Sequence, residues 1–265
     1  MYLNIIHPFG DYNGFFSNCS VKLESIIKYY NNHNSLPKNV DSSKLFYMYK
    51  KNKLDDITYH FFENENNINN YIKPNKLLNY DGGIIHMQYK EYIKIDFINI
   101  CPFVKKYFTP SNEIFNLKNI LINKYDINPE EYIGIYYRGT DKIKEINLCE
   151  FEQFELKLKE ILSINNNLKI LLLTDSKQVL DYFKNKFPYL TFINENKISD
   201  TSNGIHNENS SENNYNDIKY LFATFLIMSK CKYYICGSNN GALWTMFYRN
   251  NGHNVYQNSN NIWLN

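Results

Sequence analysis

Between Tyr132 and Tyr256 the chain alternates short apolar runs with amphipathic stretches, and few folds accommodate that rhythm. The runs Tyr132 to Tyr137, Lys169 to Ser176, Leu190 to Ile193 and Tyr233 to Cys236 are rich in β-branched, aromatic and leucine residues and read as buried strands. Between them, Phe151 to Leu162, Gln178 to Phe187, Ile218 to Lys230 and Ala242 to Arg249 carry apolar residues at helical spacing. Val255-Tyr256 reads as a last strand. Strands alternating with helices imply βαβ units and a parallel sheet, so the fold class is α/β.

Polar turns end three of these strands: Arg138-Gly139-Thr140-Asp141, Thr174-Asp175-Ser176 and Gly237-Ser238-Asn239-Asn240-Gly241. In a parallel sheet these turns fall on one edge, where open α/β sheets bind ligands. Arg138 would bring a permanent charge that can hold a diphosphate bidentately. Gly139 lets the backbone approach a ligand closely. Asp141 could orient Arg138 or accept a ligand hydroxyl. Asp175 could bind a ribose or base donor, or simply cap the next helix. The turn from Gly237 to Gly241 would present backbone N–H groups at a helix N-terminus, a natural diphosphate site.

The first half is less regular. Tyr2 to His7 reads as a strand. The turn-rich loop Pro8 to Asn18 follows, with Ser17 or Asn18 as the cap of a helix whose apolar face is Val21, Leu23, Ile26, Ile27 and Tyr30. A strand is expected over Leu36 to Asp41, helical pieces over Ser43 to Tyr49 and Asp55 to Phe62, and a short strand over Ile84 to Met87. Ser111 caps a helix ending near Lys124. The boundary therefore falls near residue 125, giving one α/β domain over 1–125 and a Rossmann-like domain over 126–265. The stretch Asn194 to Asp217, rich in Asn, Ser and Glu, reads as a loop.

Composition excludes several classes. Of the 265 residues 43% are hydrophobic and 17% aromatic, with 24 Tyr and 18 Phe, which no disordered chain carries. A formal net charge of +2 lacks the basic stripe of a nucleic-acid binder. The 5 Cys and 6 His are scattered, without CxxC or HExxH, so reduced thiols and no metal site are expected. No Asp-x-Asp occurs, nor a dinucleotide fingerprint or P-loop. The N-terminus does not read as a signal peptide, and no apolar run reaches the length of a membrane span, so a soluble or cytoplasmic chain is expected.

The segment Tyr136-Tyr137-Arg138-Gly139-Thr140-Asp141-Lys142 resembles the His-x-Arg-Arg-x-Asp motif of the α1,2/α1,6/protein-O-fucosyltransferase superfamily. Thr174-Asp175 and Cys231 to Gly241 are similar to its second and third motifs, and Gly14-Phe15-Phe16-Ser17-Asn18 to its N-terminal Gly-rich loop. The resemblance implies a GT-B fold of two Rossmann-like parallel-sheet domains facing across a cleft, with the acceptor half trimmed in so short a chain. It also implies GDP-fucose as donor, inversion at the anomeric carbon, a glycan or protein acceptor, and no metal or other cofactor. The candidate catalytic residues are then Arg138, which would bind the donor diphosphate, and Asp141. The candidate donor-binding residues are Asn18, Tyr136, Gly139, Thr140, Asp175, Gly237, Ser238, Asn239, Asn240 and Gly241. Asp11 and Glu63 stand beside Asp141 as candidates for a base. Tyr136 and Gly139 depart from the motif's His and second Arg, and Thr224 stands where some relatives place a guanine-binding Asp, with Asp217 the nearest acidic residue. Those departures leave open another nucleotide sugar, or a catalytically inactive sugar- or nucleotide-binding protein.

Overall fold

Among the described residues two sheets organise the protein, a parallel one of two strands and a mostly parallel one of six. The computed structural model describes residues 2–68, 83–140, 149–200 and 210–264. In the first half β1 (Tyr2–Asn4) leads through the Gly-rich loop into α1 (Phe15–His33) and returns to β2 (Asn39–Asp41), which pairs parallel to β1. Then come the one-turn α2 (Thr58–Phe61), α3 (Phe97–Tyr107) and α4 (Asn112–Lys124). The second half holds β3 (Tyr132–Tyr137), α5 (Phe151–Ile164), β4 (Lys169–Thr174), α6 (Lys177–Lys186), β5 (Thr191–Phe192) and α7 (Ser211–Met228). It closes with β6 (Tyr233–Gly237), α8 (Asn240–Arg249), β7 (Val255–Ser259) and β8 (Ile262–Trp263). The sheet order is β5-β4-β3-β6-β7-β8, all parallel except β8.

The central strand explains the layering. Every residue of β3 is buried, because side chains alternate between two covered faces. Ile133, Ile135 and Tyr137 face one core with Phe154, Leu158 and Ile161 of α5 and Val179 and Phe183 of α6. Tyr132 and Tyr136 face the other, which contains α7, α8 and the whole apolar interior of the first half. At the hub of that larger core, Phe15 lies within 6.2 Å, centroid to centroid, of Phe16, Phe46, Tyr49, Phe61, Phe62 and Phe222.

The α/β class and the parallel sheet are as expected. The local differences have physical reasons. The strand expected at Ile84 is a 3-10 segment, Ile84–Tyr89, started at Gly83, whose φ of +81° favours glycine. Glu24 fixes it by accepting the Ile84 N–H at 2.9 Å. Of the helical piece expected over Ser43 to Tyr49, only a 3-10 turn, Tyr47–Tyr49, forms. The helix expected from Ile218 begins earlier, at Ser211, because Ser210 caps α7, its hydroxyl accepting the Asn213 N–H at 3.3 Å. The C-terminal hairpin turns on Asn260 and Asn261, both left-handed at φ 51° and 65°, which Asn tolerates.

Candidate functional site

The C-terminal ends of β3 and β4 and the N-terminus of α8 open into a cleft of about 500 Å³. The sheet side supplies Tyr136, Arg138, Thr140, Thr174, Asp175, Asn240 and Gly241, with Asn196, Lys197 and the α7 residues Asn214, Asp217, Ile218 and Leu221 beside them. The opposite wall is the Gly-rich loop with the start of α1 (Phe9, Tyr12 to Ser17) and the 3-10 segment with His86, Gln88 and Tyr89.

Asp175 organises the turn after β3. Its Oδ1 accepts the Gly139 N–H and its Oδ2 the Thr140 hydroxyl, each at 2.7 Å, and Oδ2 lies 3.8 Å from Arg138 Nε. The cap of α6 is its neighbour Ser176, whose hydroxyl accepts the Val179 N–H at 3.5 Å. Asp175 thus holds the Arg-Gly-Thr turn in shape and gives the guanidinium a fixed counter-charge. Arg138 is about four-fifths buried at the cleft wall.

The Gly237 turn divides. β6 runs on through Gly237, which pairs with Asn258, and none of Gly237, Ser238 and Asn239 lines the cleft. Ser238 is buried, its hydroxyl accepting from Gln257 Nε2 at 2.8 Å. Asn239 is the buried cap of α8, its Oδ1 accepting the Ala242 N–H at 2.9 Å. The cleft is met by Asn240 and Gly241, whose backbone N–H groups belong to the first helical turn, which has no intrahelical acceptors. Gly241 is required by packing. A Cβ there would lie 2.8 Å from Phe225 Cζ and 3.0 Å from the Tyr136 hydroxyl. Asn240 Oδ1 accepts from Ser20, and the Ser20 oxygen in turn accepts Trp244 Nε1–H, both at 2.9 Å, which latches α8 to α1.

Asn18 also lies behind the cleft. Its Nδ2 donates to the Asn13 and Gly14 carbonyls at 3.0 and 3.1 Å and its Oδ1 accepts the Phe46 N–H at 3.2 Å, so it braces the Gly-rich loop. Gly139 is not part of the lining, though its N–H anchors the turn. Of the three carboxylates considered as base, Asp11 and Glu63 do not line the cleft, and Glu63 accepts the Asn112 N–H at the start of α4. Asp141 lies outside the described residues. Thr224 is buried in α7 and does not reach the cleft, whereas Asp217 does, 3.3 Å from Lys197 Nζ.

Several lining residues carry no mark in the sequence. Asn196 and Lys197 sit in the Asn-rich stretch, where nothing distinguishes them from their neighbours. Ser17 is held by His7, whose Nδ1 accepts the Phe9 N–H at 3.2 Å and whose Nε2 therefore carries the proton directed at Ser17 Oγ, 3.2 Å away. Burial lowers the His7 pKa to about 4, so the ring is neutral. Among the described residues no group of three or more His, Cys, Asp and Glu could hold a metal ion, and no helix is long and apolar enough to cross a membrane.

A parallel sheet whose strand ends and helix N-terminus face the Gly-rich loop across a cleft is a GT-B-like arrangement, as the resemblance implied. Solved structures share it. The structure of NodZ alpha-1,6-fucosyltransferase co-crystallized with GDP matches over 98% of this chain and 95% of that chain, at a TM-score of 0.56 and 13% identity. The NodZ structure soaked with GDP-fucose matches over 97% and 94%, at 0.57 and 14% identity. No family model matches the sequence, and no curated protein matches it.

Proposed function

We propose that this protein is a glycosyltransferase that transfers L-fucose from GDP-fucose to a glycan or protein acceptor, with inversion and without a metal. The observation that carries the proposal is the meeting, in one cleft, of the Asp175-braced Arg138 and the open first turn of α8. Both favour a diphosphate, one by charge and the other by N–H groups and the helix dipole. The matched fold, in structures determined with GDP and GDP-fucose, supports the choice of donor. Residues 126–265 would form the donor side and residues 1–125 the acceptor side, whose lip carries the exposed rings of Phe9 and Tyr12.

In this reaction the bond from the anomeric carbon to the diphosphate oxygen breaks as the acceptor oxygen bonds from the opposite face. The electron pair leaves with GDP, and the acceptor hydroxyl loses its proton. Arg138 and the N–H groups of Asn240 and Gly241 are the proposed stabilisers of the charge that grows on the departing diphosphate. Tyr136 and Thr140 would shape the donor site beside them. Asp175, Asn18 and Asn239 would act by holding the turns that carry it. Asp141, next in sequence to Thr140, is the proposed proton acceptor.

GDP release from GDP-fucose, followed over a panel of glycans and peptides with and without EDTA, tests the proposal. Acceptor-dependent release that survives EDTA and is lost in Arg138→Ala is the expected result. Release that requires a divalent cation would contradict metal independence, and an inert enzyme across the panel would contradict transfer. A different nucleotide sugar in the same cleft is the second reading, favoured by Thr224 standing where some relatives carry their guanine-binding Asp.

A further inference from the structure

A buried polar atom of a residue on the sheet side of the cleft has no hydrogen-bond partner among the described residues, and its orientation is fixed by hydrogen-bond logic. Asn196 is 5% exposed and contributes to the cleft lining, and its Oδ1 is buried with no hydrogen-bond partner among the described residues. Its Nδ2 lies 2.9 Å from Thr224 Oγ1, whose own proton is donated to the Tyr220 carbonyl, also at 2.9 Å. With that proton committed, Thr224 can only accept from Asn196. The amide N–H2 must therefore face Thr224, and the amide oxygen must face away from it. A buried acceptor left unpaired is costly, and a partner for it is worth a correspondingly large difference.

The surroundings suit a planar ring. Asn214, Asp217, Leu221 and Thr224 recur at helical spacing on one stripe of α7. The first three line the cleft, together with Ile218 and Leu173, and Thr224 sits buried at the end of the stripe where it holds Asn196. Leu173, Ile218 and Leu221 supply apolar contact and Asn196 Oδ1 an oriented acceptor, a combination that suits burial and discrimination of a heteroaromatic base, while the Asp217 carboxylate beside them lies 3.3 Å from Lys197 Nζ.

We propose that Asn196 Oδ1 reads the ring N–H of a keto nucleobase, guanine N1–H or uracil N3–H, and that Thr224 is the positioning residue that sets its amide. Adenine and cytosine carry an unprotonated ring nitrogen at that edge, which would oppose one acceptor to another. This rests on the proposed nucleotide-sugar function and adds the determinant of base choice, carried by a residue outside the three strand-end turns.

The test is calorimetric titration of the full chain with GDP, UDP, ADP, CDP and inorganic pyrophosphate, for the wild type, Thr224→Val, Thr224→Ser and Asn196→Ala. The wild type should bind GDP or UDP at least about tenfold more tightly than ADP and CDP, the size of one unpaired buried acceptor. GDP against UDP decides which keto base is used. Thr224→Val lets the amide turn over, and the preference should fall to within about threefold. Asn196→Ala should lose it as well, and Thr224→Ser should keep it. Pyrophosphate affinity should be the same in all four proteins. A wild-type preference for ADP or CDP overturns the inference. So does an unchanged base preference in Thr224→Val or Asn196→Ala with wild-type pyrophosphate affinity. Binding of no nucleoside diphosphate at all overturns the proposed function itself, and this inference with it.

Discussion

The two walls of the cleft are built on different principles. On the sheet side, β3, β4 and β6 are short strands in parallel register, and they deliver Arg138 and Asp175 from a frame covered on both faces. On the other side, a two-stranded sheet, 3-10 turns and a loop are held by edge-on and tilted rings around Phe15 and by side chains bonded to backbone, such as Asn18 to Phe46 and Glu24 to Ile84. The first wall is rigid by repetition and carries charge. The second is specific by packing and carries aromatic surface. A single core joins them through α7 and α8, so each wall depends on the other for burial.

The largest effect should come from that shared core. Phe15→Ala removes the ring at its hub and should cost about 3–5 kcal/mol in urea unfolding, as large-to-small aromatic changes do. The loss should appear in one transition seen by all probes. A separate early transition of the first half would break the picture of a shared core. Arg138→Ala should do the opposite, leaving the urea midpoint unchanged while transfer falls by a factor on the order of 10² or more. Unaltered turnover would remove Arg138 from the chemistry. Between these lies Gly241→Ala, which drives a methyl against Phe225 and Tyr136 and should lower stability by about 1–3 kcal/mol while weakening donor binding.

The smallest effect is a pH dependence. The folded-state pKa of His7, about 4, lies below its ordinary 6.5, so the unfolded chain binds the proton more readily. The stability tied to neutral His7 is fully present above pH 6.5 and is lost as pH falls towards 4. From pH 7 to 5.5 that loss is about 1 kcal/mol, and His7→Gln should flatten the curve over this interval. An equal slope in the variant would assign the pH dependence to other groups.

The same contrast decides what could be read from the sequence. β3, β4 and β6 are legible because strands buried on both faces must be nearly continuous apolar runs, and the polar turn that ends each run is conspicuous. Arg138, Thr140, Asp175, Asn240 and Gly241 follow from that rule and Tyr136 from the motif resemblance, and all of them line the cleft. Gly237, Ser238 and Asn239 belong to the same turn but spend themselves on strand pairing and capping, which no turn composition reveals. The segment from Ser43 to Phe62 has no period to read, since its order comes from rings far away in the chain. Asn196 is one Asn among many, and only the hydrogen-bond chain through Thr224 to Tyr220 sets it apart.

The most direct test of the proposed chemistry is a thermal-shift titration of the wild type and Arg138→Ala with GDP, GDP-fucose, UDP and UDP-glucose, with and without EDTA. Guanine nucleotides at a hundred times their dissociation constant should stabilise the wild type by about 2.7 kcal/mol, with or without EDTA, and should stabilise Arg138→Ala far less. A shift with uridine nucleotides alone would contradict GDP-fucose as donor. No shift with any of the four would contradict a nucleotide-sugar site in this cleft.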